Sequence, residues 1–290
     1  MAAELSFQGG TVRIEGLPPG PPPAHFPETC LWDERERVHR VPAIDYARLV
    51  LALRASGGAT FTDRARGYNE LALERPSPMS RSRTRARRSR PGGPISAGRY
   101  RPADRRGQDY VATLAIASRK RSALVVVPTL DLLNQWYDVL SAAFARPVGI
   151  VGGSYYELCD ITVTTYDSAY LHMERFGHRF GLVIFDECHH LPSPSYALSA
   201  RMCLAPFRLG LTATPERTDG RTYEDTIGPI VYRKDITELS GEYLAPYDAV
   251  TLEVHLSAEE REIYERERAT YIGFLRANSL RMPNDWGRFL

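Results

Sequence analysis

The sequence predicts an α/β fold, in which a parallel sheet with helices on both faces follows a small α+β domain. From residue 111 onward, short runs of apolar and β-branched residues alternate with helix-like stretches. Continuous apolar strands of this kind are typical of parallel sheets that are buried on both faces. The predicted strands are Ala123–Val127, Val148–Val151, Ile161–Thr165, Leu182–Phe185 and Leu209–Thr212, and the clearest predicted helix is Leu130–Phe144.

The first 74 residues follow a different pattern. Residues 4–15 alternate around Gln8-Gly9-Gly10, a glycine turn typical of a β-hairpin. The apolar spacing of Ala43–Ala55 favours a helix, and near the other end of the chain Ser257–Glu260 forms a capping box that predicts a charged helix to about Ala277. We divide the chain into a small α+β domain (1–74), an arginine-rich segment (75–110), an α/β domain (111–250) and a C-terminal helical segment (251–290).

Composition limits the class of protein. The 290 residues are 43% hydrophobic and 25% charged, which is typical of a globular protein and excludes disorder of the whole chain. No apolar run approaches the length of about 18 residues that a membrane span needs. The four cysteines are too sparse for a disulfide framework, so we expect reduced thiols. We therefore expect a cytoplasmic protein that does not associate with a membrane.

One segment alone makes the net charge of the chain positive. Between Ser80 and Arg106 there are ten arginines and a single acid, Asp104, in a chain whose net charge is only +2. Three interpretations stay open: a stretch read in a shifted frame, a disordered linker, or a tail whose arginines neutralise nucleic-acid phosphates.

Polar residues follow three of the predicted strands. Parallel sheets bind ligands at the carboxyl ends of their strands, and here those ends carry Pro128-Thr129, Asp186-Glu187 and Thr212–Thr214. An Asp in such a place can hold hydrated magnesium against phosphates, and an adjacent Glu can polarise an attacking water. The alternative is structural: a solvated loop pair, with hydroxyls that bond only to the backbone.

These strand ends, in this order, resemble motifs of the superfamily 2 helicases of the DExH kind. Pro128-Thr129 is similar to motif Ia, VTTYDSA (163–169) to a further DNA-contacting motif, DECH (186–189) to motif II, and Thr212–Thr214 to motif III. Motif II is followed by His190-Leu191-Pro192, and this second His with a Leu-Pro pair resembles the sequence found there in XPB-type DNA repair helicases. Residues 1–74 resemble, more loosely, the small damage-recognition domain of that family.

The resemblance implies a RecA-like fold and an ATP-dependent DNA helicase or translocase acting in DNA repair. It implies that Asp186 binds magnesium through water and that Glu187 is the general base for ATP hydrolysis. Coupling of the nucleotide state to DNA would involve His189, His190, Thr212, Thr214, Arg217 and Asp219, although Arg217-Thr218-Asp219 lacks the central acid of the Arg-Glu-Asp element in the family. The implied DNA contacts are Pro128, Thr129 and Thr165. The implied cofactors are ATP and Mg²⁺. The implied partners are DNA and a second RecA-like motor domain that this sequence lacks. Binding to DNA would place the protein at the nucleoid.

The family also needs a glycine-rich loop ending in Gly-Lys-Thr to hold the phosphates, and no such loop or lysine is present. Gly98–Tyr110 reads GRYRPADRRGQDY instead. One permitted codon choice for this stretch, read one nucleotide later, encodes VVIALPTGAGKT, so we interpret the stretch as frame-shifted and expect the chain as written to be inactive. Two alternatives remain: a motor subunit linked to a nuclease, and a non-enzymatic remnant that binds DNA.

Overall fold

The computed structural model describes residues 3–55, 60–74, 106–213, 223–233 and 255–277. Most of the predicted arginine-rich segment, and the predicted boundary at residue 250, lie outside these ranges. The chain divides into two compact units, Met1–Pro229 and Ile230–Leu290. The domain boundaries drawn from the sequence stay predictions. No helix in the described ranges is both long and apolar enough to cross a membrane.

Residues 3–74, here called the N-terminal unit, form a five-stranded sheet covered by one helix. The hairpin predicted around Gly9-Gly10 is present, and both glycines have positive φ angles, which L side chains rarely adopt. The sheet order is β3-β4-β2-β1-β5, with β5 parallel to β1 and the other pairs antiparallel. The elements are β1 Ala3–Gln8, β2 Thr11–Glu15, β3 Leu31–Asp33, β4 Val38–Pro42, α1 Tyr46–Ala55 and β5 Phe61–Asp63.

The second sheet carries the predicted α/β architecture. Its order is β11-β10-β6-β9-β7-β8, and all pairs are parallel except β7 with β8. The fold class predicted from the sequence is confirmed. The strands are β6 Ala123–Val127, β7 Val148–Gly152, β8 Tyr155–Glu157, β9 Ile161–Thr165, β10 Leu182–Asp186 and β11 Phe207–Leu211, and the helices are α2 Arg106–Arg119, α3 Leu130–Phe144, α4 Tyr166–Phe176 and α5 Pro194–Arg201.

Helices cover both faces of this sheet. On one face α2 and α3 pack through Ile116, Trp136 and Leu140 against β6, β9 and β10. On the other face α4 and α5 pack through residues such as Met173 and Ala200. Every residue of β6, β9 and β10 is buried. Side chains of a strand alternate between the two faces, so β6 is apolar on both, whereas one face of β9 carries Thr162 and Thr164.

The N-terminal unit is joined to the amino-terminal end of the parallel sheet. Asn69 and Ser122 exchange hydrogen bonds, with the Ser122 amide donating to the Asn69 carbonyl at 3.0 Å and the Asn69 amide donating to the Ser122 hydroxyl at 3.0 Å. The amide of Gly67 donates to the His178 carbonyl, and the Phe7 and His178 rings lie 4.7 Å apart. These contacts all lie at the end opposite to the carboxyl ends of the parallel strands.

The second compact unit contains one described helix, α6, Ala258–Ala277. Its predicted capping box is present, because the Ser257 amide donates to the Glu260 carboxylate at 2.8 Å and the Glu260 amide donates to the Ser257 hydroxyl at 3.2 Å. These bonds lower the pKa of the Glu260 carboxyl.

Candidate active site

The strand ends singled out in the sequence meet at the carboxyl-terminal end of the parallel sheet. Strands β6, β10 and β11 are neighbours, and Asp186 pairs with Leu211 in the register. The residues that follow β11, beginning with Thr212, therefore lie beside Asp186. Predicted site residues from separate parts of the chain are brought together here, whereas Thr214, Arg217 and Asp219 lie outside the described residues.

Asp186 is buried, and its carboxylate is held by two donors. One oxygen, Oδ1, accepts a hydrogen bond from the Glu187 amide at 3.0 Å, and the other, Oδ2, accepts one from the Trp136 indole Nε1 at 2.8 Å. The Tyr166 hydroxyl donates to the Asp186 backbone carbonyl at 3.0 Å. Donors to a buried carboxylate compensate for its lost hydration, so the carboxylate stays in one orientation.

Sequence reasoning missed Trp136 and Tyr166. Each lies on the apolar face of a helix and is almost completely buried. The only available signal was chemical, since a buried indole N–H or phenol O–H usually has a hydrogen-bond partner. That rule does not name the partner, which is distant in the sequence.

Glu187 has an unusual backbone. Its φ of 48° lies in the left-handed region, which costs a residue other than glycine about 1–3 kcal/mol and recurs at functional sites. The side chain is only 18% exposed, and its Oε2 lies 3.5 Å from Nδ1 of His189. The carboxylate of Glu187 is therefore placed beside the imidazole of His189.

His189 connects the two strand ends. Its Nδ1 lies 3.1 Å from the Thr212 hydroxyl as well as 3.5 Å from Glu187. One imidazole therefore contacts residues at the ends of both β10 and β11. His190 is exposed, and its ring is tilted against that of His189, with 4.2 Å between the centroids.

The cysteine inside motif II is structural. Burial raises the pKa of the Cys188 thiol to about 12, which keeps it protonated and unreactive at neutral pH. Burial, with the neighbouring Cys188, Asp186 and Glu187, also raises the pKa of Tyr166, so this phenol acts as a donor.

Two of the three predicted DNA-contacting residues cap helices. The Thr129 hydroxyl accepts from the Leu132 amide at 3.3 Å and caps α3, and the Thr165 hydroxyl accepts from the Ser168 amide at 3.2 Å and caps α4. Thr129 is exposed and adjoins the half-buried Pro128, whereas Thr165 is buried, with 7% exposure. DNA contact by these residues stays a prediction.

A cavity of about 590 Å³ opens beside these residues. It brings predicted DNA-contacting and catalytic residues to one surface. The lining residues are Pro128, Thr129, Leu132, Glu187, His189, His190, Tyr196 and Ala213.

One carboxylate of this site suits a hydrated magnesium ion. Within the described residues, no three His, Cys, Asp or Glu side chains are grouped so that they could hold a metal. Asp186 supplies one anchored carboxylate, which suits an ion that keeps its waters and takes its remaining ligands from phosphates.

Two family matches account for much of the chain. Residues 5–65 match the family described as the Xeroderma pigmentosum group B helicase damage recognition domain, and residues 109–217 match the family described as the Type III restriction enzyme, res subunit. A DNA 3'-5' translocase XPB2 of Sulfurisphaera tokodaii is 44% identical over 180 residues, which is 61% of this chain and 41% of that protein. The resemblance to XPB-type superfamily 2 helicases is confirmed.

A second curated relative is also named XPB. A DNA 3'-5' helicase XPB of Kineococcus radiotolerans is 35% identical over 174 residues, covering 54% of this chain and 31% of that protein. The chain thus spans less than half the length of these two curated relatives. The crystal structure of the UvsW helicase from bacteriophage T4 is 16% identical, with a TM-score of 0.36, over 77% of this chain and 95% of that one. The restriction-enzyme description corresponds to the nuclease-linked alternative, but the damage-recognition match and the XPB-named relatives favour the XPB type.

The matched ranges leave residues 66–108 outside. This interval contains the arginine run and most of Gly98–Tyr110. The second match begins at 109, beside Tyr110, where we infer that the reading frame closes. The frame interpretation stays a prediction.

Proposed function

We propose that this chain is the N-terminal unit and first motor domain of an XPB-type ATP-dependent DNA helicase or translocase that acts in DNA repair. The observation that carries the proposal is the cluster Asp186, Glu187, His189 and Thr212, which joins two strand ends beside a cavity. Supporting it are the damage-recognition match and the relatives named as DNA 3'-5' helicase or translocase.

Each residue of the cluster has a role in this proposal. Asp186 holds hydrated Mg²⁺ against the phosphates of ATP, and Glu187 accepts a proton from the attacking water. His189 and Thr212 pass the nucleotide state from β10 to β11, with His190 beside them and Thr214, Arg217 and Asp219 farther along the chain. Pro128, Thr129 and Thr165 contact DNA phosphates, which positions DNA without reading its sequence. A motor of this kind works in the cytoplasm, on the nucleoid.

Hydrolysis in this proposal needs two further parts. No glycine-rich loop with a lysine is present to hold the phosphates, and the proposed second RecA-like domain would supply the other wall of the ATP cleft. We therefore assign hydrolysis to a frame-corrected protein that also contains a second motor domain, and not to these 290 residues alone.

The test is DNA-stimulated, magnesium-dependent ATP hydrolysis by that frame-corrected, two-domain protein. Glu187→Gln keeps the shape of the side chain but removes the base, so we expect turnover to fall by about 10²–10⁴-fold while ATP still binds. The matched control is Glu174→Gln, since Glu174 is exposed on α4. The proposal is wrong if Glu187→Gln keeps the turnover of the control.

A further inference from the structure

The peptide unit that joins Asp186 to Glu187 is held on both sides. Its N–H, the amide of Glu187, donates to Oδ1 of Asp186 at 3.0 Å, and its carbonyl oxygen accepts from the Tyr166 hydroxyl at 3.0 Å. The left-handed backbone of Glu187, with φ 48°, follows directly. A rotation of this one peptide unit would therefore move both carboxylates of the candidate site.

Tyr166 links that peptide unit to the start of α4. It is the first residue of the helix, directly after the cap Thr165, and its side chain is almost completely buried. A phenylalanine ring would fill the same space, so packing alone does not need the hydroxyl. A buried hydroxyl needs a hydrogen-bond partner, and here that partner is the Asp186 carbonyl. The position of the first turn of α4 and the orientation of the Asp186–Glu187 peptide are thus joined by one hydrogen bond.

A second tyrosine extends this connection to the surface. The Tyr196 ring on α5 lies 4.9 Å from the Tyr166 ring between centroids, and its hydroxyl donates to Oδ1 of Asp167 at 2.8 Å. This bond raises the pKa of Tyr196, so the phenol remains a donor. Asp167 is exposed in the first turn of α4. Contacts therefore run without a gap from an exposed carboxylate, through two tyrosines, to the buried carbonyl of Asp186.

The surface end of this connection lies where DNA contact is proposed. Thr165, one of the proposed contacts with DNA phosphates, adjoins Tyr166 and Asp167 in the sequence and caps the same turn. A ligand that orders this turn also orders the two residues that bond to Tyr196 and to Asp186. This step rests on the proposed function, since it takes DNA as that ligand.

We propose that Tyr166, Tyr196 and Asp167 are positioning residues, through which DNA at the first turn of α4 orients the peptide between Asp186 and Glu187. Bound DNA holds Asp167 against Tyr196 and the Tyr166 hydroxyl against the Asp186 carbonyl, so both carboxylates of the site are held in one arrangement. This route passes through α4 and α5. It is separate from the contact of His189 with Thr212, which joins β10 to β11.

The experiment uses the full 290-residue chain and a short DNA duplex with a single-stranded tail. Hydrogen exchange is followed at the Glu187 amide and over the first turn of α4, with and without DNA. In the parental chain we expect DNA to slow exchange at both places, by about fivefold or more at Glu187. Without DNA, Tyr166→Phe should speed exchange of the Glu187 amide about tenfold, because the peptide loses one of its two bonds.

Tyr166→Phe and Tyr196→Phe each keep the ring and remove one hydroxyl. In both variants we expect DNA to slow exchange over the first turn of α4 as in the parental chain, but to leave the Glu187 amide unchanged. If the two hydroxyls act in one route, the double variant should respond like either single variant. The matched control is Tyr170→Phe, an exposed tyrosine of the same helix, which should respond like the parental chain.

Asp167 allows the same test at an exposed position. Asp167→Asn keeps an oxygen that can accept from Tyr196, whereas Asp167→Ala does not, and both remove the charge. We expect the Glu187 amide to respond to DNA in Asp167→Asn and not in Asp167→Ala. Because Asp167 is exposed, these two variants keep the test decisive if a tyrosine variant does not fold.

The outcomes separate this inference from the proposed function. An equal response of Glu187 to DNA in the parental chain, both tyrosine variants and Asp167→Ala would overturn the inference and leave the DNA contact intact. Exchange that is faster everywhere in the variants, with an unchanged response to DNA, would show a purely structural role and also overturn it. No slowing over the first turn of α4 in the parental chain would overturn the inference together with the proposed DNA contact.

Discussion

At the amino-terminal end of the parallel sheet the loops are closed against the N-terminal unit, whereas at the carboxyl-terminal end they surround an open cavity. The closed end uses backbone and side-chain hydrogen bonds around Asn69 and Ser122, and a tilted pair of rings, Phe7 and His178. The open end has a residue with left-handed backbone, Glu187, and a cavity of about 590 Å³.

The closed end of the sheet serves mainly the stability of the fold, whereas the open end carries the groups suited to chemistry. Contacts at the closed end fix the sheet, so the open end can keep polar groups that contribute less to folding than to ligand binding. Asp186 matters for stability as well as for chemistry. It ends the buried strand β10, and its buried carboxylate depends on the hydrogen bond that the Trp136 indole donates. Substitutions at the two ends should therefore differ in what they damage.

The largest effect on folding is expected at the closed end, for Gly10→Ala. A Cβ at Gly10 would lie 2.4 Å from Cγ of Met202, and φ is +76° there. The clash adds to the cost of a left-handed residue, so we expect a loss of about 2–4 kcal/mol in the free energy of unfolding, measured by urea denaturation.

Gly9→Ala is the matched control. Its φ is +56°, but nothing lies within 4 Å of the added Cβ, so only the backbone cost of about 1 kcal/mol is expected. Met202→Ala should restore part of the stability lost in Gly10→Ala, as a double-mutant cycle would show. Equal losses for both glycines would mean that the N-terminal unit does not pack here.

A smaller loss is expected for Trp136→Phe, beside the open end. The change keeps a ring in the core and removes the N–H that donates to Asp186, so about 1.5–3 kcal/mol of stability should be lost. Trp32→Phe, at a half-buried ring that contacts His39, should cost less than about 1 kcal/mol. Similar unfolding midpoints for the two variants would contradict the anchoring of Asp186 by Trp136.

The smallest effect is a pH dependence at the closed end. Burial, and then the neighbouring Arg179, lower the pKa of His178 below its ordinary value of 6.5. The folded state therefore disfavours the charged ring, so this contribution to stability is complete above pH 6.5 and is lost as the pH falls from 6.5 toward the folded pKa.

Urea midpoints between neutral and mildly acid pH test this dependence. His178→Gln should be less stable at neutral pH but lose less on acidification, whereas His25→Gln, at an exposed position, should keep the parental slope. An unchanged slope in His178→Gln would show that another group titrates.

Much of the parallel sheet could be predicted from the sequence. Strands β6 and β9 and helix α3 begin and end at the predicted residues, because each is an apolar or amphipathic run between clear turn signals. Strand β11 was predicted at Leu209–Thr212 but runs over Phe207–Leu211, since the charged Arg208 conceals its start. Its guanidinium reaches backbone carbonyls of Ala200 and Cys203, a partnership that no local pattern reveals.

The residues of the candidate site that belong to a sequence motif could be predicted, whereas those placed there by tertiary packing could not. Asp186, Glu187, His189 and Thr212 follow from the ordered strand ends. Trp136 did not, because the bond to Asp186 joins residues far apart in the sequence. The three-residue strands β3, β5 and β8 were also missed, since such short strands depend on their partners rather than on their own pattern.

The most direct test of the central claim, that the open end is an ATP site lacking its phosphate loop, is calorimetric titration of ATP with magnesium. The 290-residue chain and a frame-corrected version carrying VVIALPTGAGKT before α2 would be compared. We expect no saturable binding by the chain as written and saturable, micromolar binding by the corrected version, because the loop supplies the amides and the lysine that hold the phosphates. Micromolar binding by the uncorrected chain, or none by the corrected one, would contradict the account.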